Sequence, residues 1–187
     1  MNNKLKILGL AGSLRAASYN KSLLRAAANL MPSEDTNLEI FDIDGIPAFN
    51  QDTEKNMPEK VKDFKSKIRE ADAILISTPE YNYSVPGVLK NAIDSATRPY
   101  GDNPFNEKPV AIMSASVGML GGARAQYHLR QIFVYLNMYP INLPEVIVPF
   151  AENKFDTNGN LVDENTQMFV RQLLQNLVNW TRKLKQR

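Results

Sequence analysis

The chain has 187 residues, of which 43% are hydrophobic and 22% are charged, as expected for one folded domain spanning residues 1–187. Its 22 basic and 20 acidic residues leave a formal net charge of +2, which argues against a nucleic-acid-binding protein with its concentrated basic surface. The absence of cysteine excludes disulfides and thiol chemistry. No apolar run approaches the ~20 residues of a membrane helix, and the amino terminus lacks a signal-peptide pattern. We therefore expect a cytoplasmic protein with neither a membrane nor a nucleic-acid partner.

Five apolar segments predict β-strands, and each is followed by a segment with the apolar spacing of an amphipathic helix. The predicted strands cover residues 5–11, 38–42, 73–76, 110–113 and 146–148. The apolar positions of the predicted helices are Leu23, Leu24 and Ala27; Met57, Val61, Phe64 and Ile68; Leu89, Ala92, Ile93 and Ala96; Leu129, Ile132, Phe133 and Leu136; and Val170, Leu173, Leu174, Leu177, Val178 and Leu184. Alternating strands and helices indicate βαβ units, and hence a parallel sheet with helices on both faces.

The second predicted strand is the most polar of the five, so it should lie at an edge of the sheet. Strand order 2-1-3-4-5 satisfies this condition. We therefore predict an α/β fold, a flavodoxin-like three-layer sandwich with a five-stranded parallel sheet. The long connections 43–56 and 149–163 should project from the carboxyl ends of strands, beside a ligand site there.

The loop after the first strand has the composition of an anion-binding site. A helix that begins near Ser18 or Asn20 presents unpaired backbone N–H groups and the positive end of its dipole. Ser13, Ser18 and Asn20 add neutral donors, and Arg15 adds a cation with two parallel donors, which suits a terminal phosphate. The loop has neither the P-loop ending nor the dinucleotide glycine spacing. Helix capping alone accounts for Ser18 and Asn20, but it leaves Arg15 and Ser13 without a role.

The loop after the third strand combines rigidity with aromatic side chains. Two prolines and a glycine between residues 78 and 87 restrict its backbone, so its peptide groups can form a fixed array. Such an array could bind the edge of a flat heterocycle while Tyr81 or Tyr83 covers one face, with Asn82 on a pyrimidine edge. Glu80 is expected to face the ring through its backbone rather than its carboxylate. The alternative is an ordinary turn, because these are common turn residues.

In strand order 2-1-3-4-5 the loops after the first and third strands meet at the switch point of the sheet, where ligands bind. The loop after the fourth strand, residues 114–118, would border the same place. Flavin mononucleotide (FMN) has the matching shape, with its phosphate on the first loop and its isoalloxazine on the other two. The predicted cofactor-binding residues are Ser13, Arg15, Ser18, Asn20, Pro79, Glu80, Tyr81, Asn82, Ser114, Ser116 and Gly118. No metal ligand is predicted.

Three segments resemble those of the NADPH-dependent FMN reductase family, which includes quinone, azo-dye and chromate reductases. The segments are Gly12-Ser13-Leu14-Arg15-x-x-Ser18-x-Asn20, Thr78-Pro79-Glu80-Tyr81-Asn82-x-Ser84-x-Pro86-Gly87-x-Leu89-Lys90-Asn91-x-x-Asp94, and Gly121-Gly122-Ala123-Arg124 with Leu129-Arg130. The resemblance covers about residues 4–148. It implies tightly held FMN, NADPH or NADH as co-substrate, and a homodimer or homotetramer. It further implies hydride transfer from NAD(P)H through flavin N5 to a small acceptor (a quinone, azo compound, chromate or free flavin), so no protein residue is named as catalytic.

Three alternatives remain at the level of the sequence. A flavodoxin-type electron carrier would bind FMN without turning over NAD(P)H, although such carriers tend to be acidic. A phosphate-accepting receiver domain would need several carboxylates at strand ends to hold a metal. A flavin reductase would release reduced FMN as a product. Arg124, Tyr127 and Glu145 are candidates for a subunit contact or the substrate entrance, and His128 is expected to be structural rather than a proton relay.

Overall fold

The computed structural model describes residues 4–186, and within this range six strands alternate with five α-helices. The strands are β1 (Leu5–Ala11), β2 (Thr36–Phe41), β3 (Ala73–Ser77), β4 (Pro109–Ala115), β5 (Tyr139–Pro140) and β6 (Val146–Val148). The helices are α1 (Tyr19–Asn29), α2 (Glu59–Glu70), α3 (Gly87–Ala96), α4 (Ala123–Leu136) and α5 (Glu164–Lys185). No helix of the described residues is both long and apolar enough to cross a bilayer.

The sheet is wholly parallel and has the order β2-β1-β3-β4, followed by an edge that β5 and β6 share. This confirms the predicted order, but the fifth position holds two short strands instead of one. Tyr139 pairs beside Pro109 at the start of β4, and Val146 pairs beside Met113 near its end. The two-residue β5 has no sequence signal, because a proline inside a short run argues against a strand except at an edge.

Each face of the sheet carries its own apolar core. On one face α1 and α5 pack on the strands through Leu24, Leu174 and similar residues. On the other face α2, α3 and α4 pack through Phe64, Leu89 and Phe133. All five residues of β3 are buried, as expected for a central strand covered on both faces. The carboxyl ends of β1, β3 and β4 therefore lie side by side on a rigid base.

The two long connections follow the carboxyl ends of β2 and β6 and are fastened to helices. In the connection 43–56 the side-chain amide of Asn91 on α3 accepts from Phe49 N at 2.7 Å and donates to Pro47 O at 2.9 Å. In the connection 149–163 the ring of Phe155 packs against Tyr19 of α1, with centroids 5.4 Å apart. The first connection is therefore hydrogen-bonded to α3, and the second is packed against α1.

The amino terminus of α5 depends on an ionised cap. The Asp163 carboxylate accepts from Lys154 Nζ at 2.7 Å, from Thr166 N at 2.9 Å and from Thr166 Oγ1 at 2.6 Å. The Lys154 ammonium, followed by the Thr166 hydroxyl, lowers the pKa of Asp163 from 3.8 to about 2. Because the folded-state pKa is the lower one, the ionised carboxylate stabilises the fold above the unfolded-state pKa, and this stabilisation disappears as the pH falls toward about 2.

We expect Asp163→Asn to lower the free energy of unfolding at neutral pH, because asparagine still caps the helix but cannot pair with Lys154. The difference from the wild type should stay constant down to about pH 4 and then close as the pH falls further. Urea unfolding at a series of pH values measures it. Glu152→Gln, which also removes one negative charge, controls for net charge. A difference that does not change with pH would contradict the role of the ionised cap.

Candidate functional site

The loops after β1 and β3 touch each other at the carboxyl edge of the sheet. Gly12 N donates to Ser77 O at 2.9 Å, and Ser13 Oγ lies 3.3 Å from Tyr81 Oη. A Cβ atom on Gly12 would lie 2.2 Å from Oγ1 and 2.8 Å from Cβ of Thr78, closer than real Cβ contacts allow. Glycine at position 12 is therefore what permits the first loop (residues 12–18) and the second loop (residues 78–86) to meet.

The first loop contains unpaired donors, and its residues 14–17 are exposed. Ser18 caps α1 and its Oγ accepts from Asn20 N at 3.2 Å and Lys21 N at 3.4 Å, which leaves its hydroxyl hydrogen free to donate. Among residues 4–186 no carboxylate pairs with the exposed Arg15, and no backbone acceptor pairs with the N–H groups of Leu14, Ala16 and Ala17. Unpaired N–H groups at a helix start and a free guanidinium form a site for an anion.

Asn20 does not have the place predicted for it. Its side chain is 2% exposed and is bonded to protein on both sides. Oδ1 accepts from Ala115 N at 3.0 Å and from Ser77 Oγ at 3.1 Å, and Nδ2 donates to Ala115 O at 2.9 Å. Because the amide is turned into the sheet, we correct the prediction that its side chain binds the ligand.

The second loop contains a tight turn, as its turn residues allowed, but in a left-handed conformation that the sequence did not predict. Tyr81 and Ser84 exchange both backbone hydrogen bonds at 3.0 Å. Between them Asn82 and Tyr83 have φ angles of 49° and 67°, a left-handed conformation that is common for asparagine but rare for tyrosine. Such conformations persist where the surroundings hold them, and they cluster at functional sites.

Helix α4 holds this turn in place through three contacts. The Glu80 carboxylate accepts from Arg124 N at 3.0 Å and from Arg124 Nη1 at 2.9 Å. The Arg124 guanidinium lies 3.8 Å from the centre of the Tyr83 ring, and Ser84 Oγ lies 2.8 Å from His128 Nδ1. Glu80 thus turns its carboxylate toward the helix, where the guanidinium and the positive end of the helix dipole stabilise it. The outer parts of Tyr81 and Tyr83 remain exposed.

The residues proposed for entrance or subunit contact have partners within the chain. Arg124 is bound to Glu80 and Tyr83, as described above. Tyr127 Oη lies 3.5 Å from Glu145 Oε2, at the limit of a hydrogen bond. His128 is bonded to Ser84, which agrees with the structural role expected for it.

Ser114 belongs to β4 rather than to the third loop (residues 116–122). It is fully buried, and its Oγ accepts from Gln126 Nε2 at 2.7 Å. Gly122 lies directly over it, with φ 91°, and a Cβ there would be 2.8 Å from Ser114 Cβ. We therefore correct Ser114 from a ligand to a support for the third loop. Ser116 and Gly118 do lie in that loop, where Gly118 N donates to Ser116 Oγ at 3.1 Å.

A hollow of ≈ 320 Å³ opens between Glu80, Arg124 and the third loop. Its wall includes the apolar side chains of Met119 and Leu120, and Met119 is 73% exposed. Met119 is flexible and polarisable, Leu120 is branched, and both lie at the surface. Such side chains can pack against the face of a flat apolar molecule. These residues were missed in the sequence, where their only signal is an apolar pair inside a glycine-rich loop. Among residues 4–186 no three histidine or acidic side chains are grouped as a metal would require.

A doubly wound parallel sheet of this order, with the loops after β1, β3 and β4 at its carboxyl edge, defines the flavodoxin-like class of fold. The sequence profile of the NADPH-dependent FMN reductase family matches residues 5–153. The chain belongs to this family.

Relatives support the assignment over the whole chain. An NAD(P)H-dependent FMN reductase from Pseudomonas aeruginosa is 48% identical over 186 residues, covering 99% of this chain and 100% of the relative. A 2-hydroxy-1,4-benzoquinone reductase from Burkholderia sp is 44% identical over 178 residues, covering 95% and 97%. The structure of FerB, a flavoenzyme NAD(P)H:(acceptor) oxidoreductase from Paracoccus denitrificans, superposes with a TM-score of 0.86 at 34% identity and covers 96% of this chain and 98% of its own.

Proposed function

We propose that this protein is an FMN-dependent NAD(P)H oxidoreductase that passes electrons from NAD(P)H to a small acceptor such as a quinone, azo compound, chromate or free flavin. The observation that carries the proposal is the contact between an anion-binding loop and an aromatic loop, with Ser13 Oγ 3.3 Å from Tyr81 Oη. One ligand with a phosphate at one end and a flat ring at the other spans both loops. Relatives named as FMN and quinone reductases at 44–48% identity support the same activity.

The residues present fit FMN. On the phosphate side the free N–H groups of the first loop and the unpaired Arg15 match a group with nearly two negative charges. On the ring side the backbone of residues 79–82 and the third loop form one wall each. We propose as FMN contacts Ser13, Arg15 and Ser18 at the phosphate, and Pro79, Glu80, Tyr81, Asn82, Ser116 and Gly118 around the ring.

When bound, FMN supplies the two-electron chemistry between NAD(P)H and the acceptor. The protein holds the ring and sets the electrostatics around it. Among the described residues the N–H groups of Glu80 and Asn82 have no protein acceptor, so they can donate to ring carbonyls as preorganised dipoles. The Glu80 carboxylate is neutralised by Arg124 and directed at α4, which keeps its charge off the ring edge.

The acceptor would approach over the exposed side of the hollow. Met119 lines this side and is largely exposed, and the exposed Tyr83 ring packs on Arg124, which lines the hollow as well. A flat apolar acceptor gains burial there without needing a specific hydrogen bond. This supports a two-step exchange in which NAD(P)H and the acceptor use the same place in turn.

Two measurements on the purified protein test the proposal. The absorption spectrum should show the bands of oxidised flavin, and NADPH should be oxidised in the steady state with a quinone as acceptor. Bound flavin without turnover would favour the electron carrier, and the absence of flavin binding would refute the proposal. Flavin colour that survives dialysis would separate a retained cofactor from FMN released as a product.

We further propose that residues 1–187 form a single FMN-binding domain that acts in the cytoplasm as a homodimer or homotetramer. The outer face of α4 supports an interface with a second copy, because Val134 and Tyr135 are 82% and 78% exposed and lie one turn from Gln131 and two turns from Tyr127. Large apolar side chains on a helix face are typical of such interfaces. Sedimentation velocity tests it, and a monomer at micromolar concentration would exclude it.

A further inference from the structure

We propose that Asn20 is a positioning residue that holds the phosphate-binding loop and the two ring-binding loops of the FMN site at a common spacing. The proposal rests on the proposed function, since it concerns the same site. It assigns to Asn20 a role other than contact with the phosphate.

The side chain of Asn20 connects three segments, each of which adjoins one of the three loops. Asn20 itself stands two residues beyond the end of the first loop. Ser77, whose Oγ donates to Asn20 Oδ1 at 3.1 Å, is the last residue before the second loop. Ala115, which exchanges hydrogen bonds with Asn20 through its N–H at 3.0 Å and its C=O at 2.9 Å, is the last residue before the third loop.

The hydrogen-bonding capacity of the amide is almost used up by these contacts. An asparagine side chain offers two acceptor positions and two donor positions. Both acceptor positions and one donor position are taken by Ser77 and Ala115. The Asn20 side chain is 2% exposed and could offer a phosphate at most one N–H.

Asn20 is also the only side chain among the described residues that bonds to the ends of both β3 and β4 from α1. These bonds fix the position of the amino terminus of α1, next to the proposed phosphate donors, relative to the ring loops. A shift of α1 along its axis would move the phosphate donors relative to the ring loops, and a ligand that contacts both would then bind less tightly.

A phosphate contact and a positioning role predict different losses of affinity for FMN and riboflavin when Asn20 is replaced. Riboflavin has the ring of FMN without the phosphate, so a residue that only binds phosphate affects FMN and leaves riboflavin unchanged. A residue that positions the loops affects both flavins, because the ring loops lose the neighbour that orders Ser77 and Ala115.

The test compares the affinities of the apoprotein for FMN and for riboflavin, by flavin fluorescence, in Asn20→Ala, Ser77→Ala and Asn29→Ala. We expect Asn20→Ala to weaken riboflavin binding by about tenfold or more, because two buried peptide groups of Ala115 lose their partners, and to weaken FMN binding by at least as much, because the position of the phosphate donors is lost as well. Ser77→Ala, which removes one of the bonds to Asn20, should weaken both by a smaller factor. Asn29→Ala, the same substitution at an exposed position on α1, should bind like the wild type.

Loss of FMN affinity with riboflavin affinity unchanged in Asn20→Ala would overturn the proposal in favour of a phosphate contact. Unchanged affinities for both flavins, with only a lower melting temperature of the apoprotein, would overturn it in favour of a purely structural role. If Asn20→Ala does not fold, the ratio of the two losses in Ser77→Ala decides. A wild-type protein that binds neither flavin would refute the proposed function itself, and this role with it.

Discussion

Replacing Gly12 by alanine is expected to separate the first two loops, destabilise the fold by about 1–3 kcal/mol and abolish tight FMN binding. The added Cβ would lie 2.8 Å from Thr78 Cβ. Rotation of the Thr78 side chain cannot relieve this contact, since Cβ is fixed to the backbone. The backbone of one loop must therefore move, and the phosphate and ring contacts move apart. Urea unfolding and flavin titration measure the two effects.

Gly87→Ala is the matched control, because a Cβ on Gly87 meets nothing within 4 Å. Gly87 begins α3, where alanine should be neutral or stabilising by up to about 1 kcal/mol. In addition, the double variant Gly12→Ala/Thr78→Gly adds a Cβ to the first loop and removes the Thr78 side chain that this Cβ would contact. It should lose less stability than the sum of its two single variants, while strict additivity would show that the Gly12–Thr78 contact does not join the loops.

Replacing Arg15 by alanine is expected to weaken FMN binding by about 1.5–3 kcal/mol, the range for hydrogen bonds to a charged group. Riboflavin affinity should stay unchanged, because Arg15 lies in the first loop and its only hydrogen bonds within residues 4–186 are to Ser13 and Ser18. The effect on FMN should shrink as ionic strength rises, since Arg15 is exposed and its charge is screened. Fluorescence titration at two salt concentrations measures both trends.

Arg25→Ala provides the control for Arg15, because it removes an exposed arginine of α1 that bonds only to Ser22 Oγ at 2.8 Å among the described side chains. It should leave FMN affinity at the wild-type value. Equal losses of FMN and riboflavin in Arg15→Ala would instead place Arg15 near the ring, and unchanged FMN affinity would remove it from the site.

The fold could be predicted almost completely from the sequence. The strand order follows from the polar second strand and the buried third strand, Ala73–Ser77, because burial on both faces leaves a continuous apolar run. The exception is β5, Tyr139–Pro140, whose two residues are too few to form a pattern. It becomes a strand only because β4 offers it a free edge.

The site was predicted at the level of loops but not of atoms. Ser13 and Tyr81 come together as their positions after β1 and β3 required. The left-handed turn at Asn82 and Tyr83 could not be predicted, because it lacks the glycine that normally marks one. It is held from outside by Arg124 and His128, more than forty residues along the chain.

The α/β architecture, the order of the strands and the loops of the proposed site can be inferred from the amino-acid sequence, since apolar periodicity and turn composition act between near neighbours in the chain. Only the tertiary structure decided which polar side chains within those loops remain available to a ligand. Asn20 finds its partner 95 residues away and Glu80 finds its own 44 residues away, and neither pairing leaves a local trace. Because each polar group can make only a few hydrogen bonds, partners brought close by the fold turn such residues from ligands into supports.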